Sequence, residues 1–231
     1  MSKISVLIFL IGIFSMRLFA TQQREDKVIY RGKTYFMPTF PMNAYFEIHP
    51  EKKPSSDVLI TSLWRGHVAT YEFKENVLFL KDIEVPIYRK VGVPPYEMTW
   101  KSVMSQVVPK GKRLPVDWHS GILVLSHGKI VDDVDGVSGM SYSKYLLLEV
   151  KKGKITGKRR YDLKQFKQFK EQQFQAYKKT DSYRQEVAER KQQGDSQAEI
   201  DSQIKYFIMN FTSEFLFDTA PSKTSEAGVS R

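Results

Sequence analysis

Residues 62–73, "SLWRGHVATYEF", set a tryptophan, an arginine, a glycine and a histidine side by side in what otherwise reads as a β-strand. In strand alternation Leu63, Arg65, His67, Ala69, Tyr71 and Phe73 share one face, and Trp64, Gly66, Val68, Thr70 and Glu72 the other. Neither face is cleanly apolar. One reading is a ligand surface on which Arg65 and His67 point together and Gly66 lets something approach the backbone. The other is packing: Trp64 anchors a core, Gly66 lies opposite a large ring, and Arg65 pairs with a nearby carboxylate. Packing is the preferred reading.

The flanking sequence extends the strand pattern from about Lys27 to Tyr161. "KVIYRGKTYFM" turns at Arg31-Gly32, and "ATYEFKENVLFL" turns near Asn76. "WHSGILVLSHGKIV" and "KYLLLEVKKGKITGKRRYD" repeat the pattern, with turns expected at His127-Gly128 and Lys152-Gly153. Short strands with glycine turns predict an antiparallel β-domain over 21–161, a sandwich or an open barrel. Trp64, Tyr71, Phe73, Phe79, Trp118, Leu123, Leu125, Leu146 and Leu148 are its expected core.

After Tyr161 the period changes. Leu163, Phe166, Phe169, Phe174 and Tyr177 fall on one side of a helix that opens on a capping box, Asp162 with Gln165. A polar stretch follows. Ser196 and Glu199 then open a helix whose stripe runs from Ile200 through Ile204, Phe207, Ile208 and Phe211 to Phe215. The fold class is therefore α+β, with a helical C-terminal region over 162–217. Residues 218–231 have the composition of a disordered tail.

Residues 1–20 read as a secretory signal peptide, with Lys3 before an apolar run of eleven residues, Ile4 to Phe14, and Ala20 at the expected cleavage point. Eleven residues are too few to cross a bilayer. Leu18 is larger than the small residue usual at its position, which leaves an uncleaved anchor as the alternative. No second run reaches spanning length, so no transmembrane segment is expected after cleavage. The destination expected is the periplasm or the exterior of a bacterial cell.

The chain has no cysteine, which excludes a disulfide framework, a thiolate metal site and a Cys nucleophile. The four histidines are scattered without metal-ligand spacing. "VDDVDG" at 131–136 lacks the first and twelfth ligands of a calcium loop. Asp117, His119, Ser120, Ser126 and His127 include the residue types of a hydrolase triad, but neighbours along a strand point to opposite faces and no nucleophile elbow is present. Neither a phosphate loop nor a dinucleotide fingerprint occurs, and no cofactor or metal is expected. The residues left as a candidate binding site are Arg65, His67, Trp118 and His119.

Net charge is +10, and the segment 151–179 holds eleven Lys or Arg against two acids. Lys158, Arg159, Arg160, Lys164, Lys167 and Lys170 form its centre. An apolar stripe flanked by cations suits an acidic protein or an anionic envelope surface, including peripheral contact with a membrane. It equally suits a helix lying on its own sheet with its lysines in water. Nucleic acid fits by charge alone, and no recognition motif accompanies the charge.

Two stretches together, "LWRGHVATYEFKENVLFLKDI" and "PVDWHSGILVLSHGKI", resemble a set of uncharacterised bacterial proteins. Their pattern is Trp-Arg-Gly-aromatic-x-Ala-Thr-Trp-Glu-Ile, followed by Trp-x-Ser-Gly-x-Leu; here His67 and Tyr71 replace two of the aromatics. The resemblance implies a shared β-rich domain over about 27–161 and carries no activity with it. Three functions are therefore expected in order: an exported non-enzymatic binding or interaction module, an immunity-type protein neutralising a toxin in the envelope, and an envelope hydrolase using Arg65, His67, Asp117 or His119.

Overall fold

A computed structural model describes residues 23–56, 58–89, 97–109, 112–131 and 141–218. The expected signal peptide, the residues after 218 and the Asp133-Asp135-Gly136 loop lie outside them. The strands are β1 (Asp26–Tyr30), β2 (Lys33–Met37), β3 (Val68–Lys74), β4 (Val77–Arg89), β5 (Glu97–Ser102), β6 (Leu114–Pro115), β7 (Gly121–Val131), β8 (Ser141–Lys151) and β9 (Lys154–Asp162). The helices are α1 (Met42–Ile48), α2 (Met104–Val107), α3 (Leu163–Tyr177), α4 (Asp181–Gln192), α5 (Gln197–Tyr206) and α6 (Ile208–Phe211).

Eight of the strands follow the order β3-β1-β2-β7-β8-β9-β4-β5 in one large sheet, antiparallel except between β1 and β3; β3 also pairs with β4, and β6 pairs with β4 off this path. It is not a barrel. Two of its links, Phe36 with Ser126 and Val77 with Lys154, are single residue pairs. Three hairpins turn in two residues at Arg31-Gly32, Glu75-Asn76 and Lys152-Gly153, every one with positive φ. That geometry matches the right-handed twist of the strands it joins. The turn expected at His127-Gly128 does not form. β7 runs on to Val131, and Gly128 makes a bulge in which the Lys129 N–H donates to Ser143 Oγ at 3.0 Å.

The continuous apolar runs of β7 and β8 have a direct cause: both faces are covered. Leu123, Leu125, Leu146 and Leu148 join Val28, Met37, Met42, Tyr71, Leu78 and Ile83 in the main core. Ile122, Val124, Tyr145 and Leu147 turn the other way and meet Phe166 and Phe169 of α3 together with Phe215, which follows α6. The helical region therefore packs directly on the sheet. The expected capping boxes are present, Asp162 with Gln165 on α3 and Ser196 with Glu199 on α5. The single helix expected from Ile200 to Phe215 breaks at Phe207. Ile200, Ile204 and Ile208 stay buried against Phe174 and Tyr177, while Phe215 crosses to the sheet, where its N–H donates to Glu149 Oε2 at 2.9 Å.

Trp64 departs from expectation. Residues 61–63 form a 3-10 turn and the strand starts only at Val68, so Trp64 projects into solvent with 69 % of its surface exposed. Gly66 lies opposite no ring. Its φ of +76° closes the turn, its N–H donating to Leu63 O at 2.9 Å, and a Cβ there would meet open space. Phe73, Phe79 and Trp118 are half-buried; the other expected core residues are buried.

Candidate functional site

Arg65 belongs to the interior. Its side chain is sealed, with Nη1 3.1 Å from Asp26 Oδ1, Nη2 donating to Arg24 O at 2.6 Å and the guanidinium 3.6 Å above the Phe40 ring. The parallel register of β1 on β3 sets Asp26 beside Ala69, whose N–H donates to Oδ1 at 3.0 Å; the Tyr71 hydroxyl donates to Oδ2 at 3.4 Å. The guanidinium and the carboxylate pair with each other, as buried charges must, while Arg65 Nε finds no hydrogen-bond partner among the described residues. Burial still outweighs these donors and pushes the Asp26 carboxyl up to about 6.

His67 is 1 % exposed. Its Nδ1 lies 3.0 Å from Arg65 O, which can only accept, so Nδ1 holds the proton and Nε2 keeps its lone pair. Nε2 finds no partner among the described residues. Phe46 meets the imidazole edge to face at 5.3 Å. Burial, then the adjacent Arg65 charge, lowers the His67 pKa to about 4.

These shifts set a pH dependence. The folded pKa of His67 lies below its ordinary 6.5, so its contribution is complete above 6.5 and is lost as pH falls through 4. That is roughly 3 kcal/mol. Asp26 acts in the opposite sense. Its folded pKa is raised above the ordinary 3.8, so its contribution is complete below that value and is lost as pH rises through 6. The two offset each other between 4 and 6. His67→Gln is therefore expected to lose less stability than the wild type between pH 7 and 4, by up to roughly 3 kcal/mol. Urea unfolding at both pH values measures this, and an unchanged difference would contradict the sealed histidine.

Trp118 donates from Nε1 to Pro41 O at 2.9 Å and packs on Tyr45 at 4.7 Å. Together with Arg65 on Phe40 and His67 on Phe46, it clasps the segment 40–46 from two sides. The two sequence motifs thus grip one segment and do not form one cleft. Asp117 is exposed.

His119 alone of the four candidates reaches an open site. The turn before β7 is tied to the Lys152-Gly153 turn: Gly153 N–H donates to His119 O at 2.8 Å, and Lys152 N–H donates to Ser120 Oγ at 3.0 Å. This places His119 on the wall of a cleft of about 320 Å³ between the residues after β2, the start of β7 and the segment from α6 to Ser213. Thr39, Phe40, Asn43, His119, Asn210 and Thr212 supply its chemistry. The lining contains no Asp, Glu, Lys or Arg. Burial lowers the His119 pKa, which keeps the ring neutral at neutral pH. Thr39 Oγ1 and His119 Nε2 are buried without a partner among the described residues. Each such atom costs about 1–3 kcal/mol. The sequence reading missed Thr39 and Asn43, and also the α6 wall, because the three segments meet only in the fold.

The basic patch is divided. Lys158 and Arg160 are exposed on one face of β9. Arg159 faces the other way, its guanidinium 4.3 Å from the Phe215 ring centroid and 4.7 Å from that of Phe217. Lys164 and Lys167 are exposed on α3. Lys170 donates from Nζ to Tyr206 O at 3.0 Å, and burial, then Lys167 and Lys205, lowers its pKa. Among the described residues no helix is long and apolar enough to cross a membrane, and no three His, Asp or Glu stand together as a metal site. Compared with known proteins, the chain matches no family model, no curated protein and no solved structure.

Proposed function

We propose that this chain is an exported, non-enzymatic binding protein that takes an uncharged, hydroxyl- or amide-bearing small molecule in the cleft beside His119. The observation that carries the reading is the lining: charge-free, yet holding two buried polar atoms, Thr39 Oγ1 and His119 Nε2, with no partner among the described residues. A charged ligand would lose its hydration there without gaining a counter-charge. A neutral hydroxyl or amide can donate to a bare imidazole nitrogen and bond the threonine, while Phe40 and Phe211 cover its apolar side. The cleft volume matches a ligand of one or two small rings. Export rests on the apolar run at residues 4–14.

Thermal unfolding with a panel of neutral saccharides and amides, beside charged analogues, tests the reading. A neutral compound at one hundred times its Kd is expected to stabilise the chain by about 2.7 kcal/mol. Asn210→Trp, which fills the cleft from an exposed position on α6, is expected to abolish the gain. Stabilisation by charged compounds alone, by none of the panel, or equally in Asn210→Trp would contradict it.

A further inference from the structure

Lys170 is half-buried where α3 packs on α5. Its Nζ donates to Tyr206 O at 3.0 Å, the last carbonyl of α5, where the helix dipole leaves partial negative charge. That bond uses one of three ammonium donors. Among the described residues no carboxylate lies within ion-pair distance of Lys170. Glu171, its neighbour in the chain, is engaged elsewhere: Oε2 lies 2.6 Å from Lys205 Nζ, and Oε1 accepts from Gln175 Nε2 at 2.7 Å. Burial, then the charges of Lys167 and Lys205, lowers the Lys170 pKa, as expected of an ammonium short of counter-charge.

These groups share one face. Lys167, Lys170 and Glu171 stand three and four residues apart on α3, the spacing that brings helical side chains together. Lys170 and Glu171 each cross to α5, reaching Tyr206 and Lys205. Phe207, 50 % exposed at the break after α5, meets the exposed Tyr206 ring edge to face at 4.4 Å, and Lys170 Nζ lies 5.4 Å from the Tyr206 ring centroid. None of these residues lines the His119 cleft. Phe207 supplies an aromatic anchor and the lysines a charged rim, the anatomy of a protein interface. Lys167, Lys170 and Lys205 outnumber Glu171 there, which selects an acidic partner. A phosphate backbone or an anionic leaflet fits less well. Glu171 would face its charges, and the Tyr206 ring, already engaged by Lys170 and Phe207, offers no free platform for a base.

We propose that this face binds an acidic segment of a partner protein, with a carboxylate on the two remaining donors of Lys170 and an apolar side chain against Phe207. The test is an NMR titration of the full chain with the peptide Glu-Leu-Glu-Glu-Leu-Glu. Amide shifts are expected at Lys170, Tyr206 and Phe207, and the same peptide with Gln for every Glu is expected to leave them in place. Lys170→Gln is expected to weaken peptide binding about tenfold. Because Lys170 also caps α5, Phe207→Ser serves as the second variant, altered at an exposed ring, with the same tenfold loss expected. No shifts, shifts centred on Lys158 and Arg160, equal binding of the Gln peptide, or unchanged affinity in either variant would overturn the proposal. So would tighter binding of oligothymidylate or of phosphatidylglycerol vesicles at this face, since a nucleic acid or a membrane would then be its partner.

Discussion

Asp26→Ala is expected to lower the unfolding free energy by about 3–5 kcal/mol, because it leaves the Arg65 guanidinium buried and unpaired. It also strips the Ala69 N–H and the Tyr71 hydroxyl of their acceptor. Domains of this kind have about 5–15 kcal/mol of stability in all, so the loss is a large share. Arg65→Met should cost a similar amount by orphaning the carboxylate. The double variant removes both charges at once and is expected to be more stable than the sum of the single losses implies, since neither charge is then stranded. Urea unfolding of the four proteins gives the coupling directly. A single-variant loss below about 1 kcal/mol, the value of an exposed ion pair, would contradict the buried cluster.

Phe169→Ala is expected to cost about 3–5 kcal/mol through the cavity it leaves between α3 and the sheet. Phe169 is buried among Tyr161 at 5.2 Å, Phe217 at 5.3 Å and Phe215 at 5.9 Å. The consequence reaches the cleft. Phe215 is only two residues beyond Ser213, which lines the cleft wall, and its N–H bond to Glu149 fixes that segment to β8. Hydrogen exchange at the Phe215 amide should therefore quicken in the variant. A loss under about 1 kcal/mol with unchanged exchange would mean that α3 does not hold the segment in place.

The α+β class was legible because its signals are local. Two-residue turns with glycine or asparagine mark the hairpins, doubly covered strands read as unbroken apolar runs, and both capping boxes stand where helices begin. His127-Gly128 misled because a glycine within a strand serves a bulge as readily as a turn. The break at Phe207 was hidden by a continuous stripe: Ile208 fits the α5 phase, whereas Phe215 answers to Glu149, 66 residues away. Trp64 could not be placed: Leu63, Arg65 and His67 are buried in the alternation of a strand, although residues 61–63 form a 3-10 turn and the strand starts only at Val68. The partner of Arg65 was expected as a carboxylate, but choosing Asp26 needs the parallel pairing of β1 with β3, which no short-range pattern signals. The cleft joins residues near 40, 120 and 210, and nothing in any of those stretches announces the other two.

The sealed interior of the "WRGH" turn is the claim on which the assignment of roles depends: Arg65 and His67 hold the fold, and the cleft beside His119 is the proposed binding site. Titrating the imidazole resonances by NMR in the full-length protein tests it most directly. The expected result is a His67 pKa of about 4, with Nδ1 protonated throughout the neutral range. A His67 value at or above the ordinary 6.5 would mean an imidazole open to water beside Arg65, and the turn would have to be reassigned as a reactive surface.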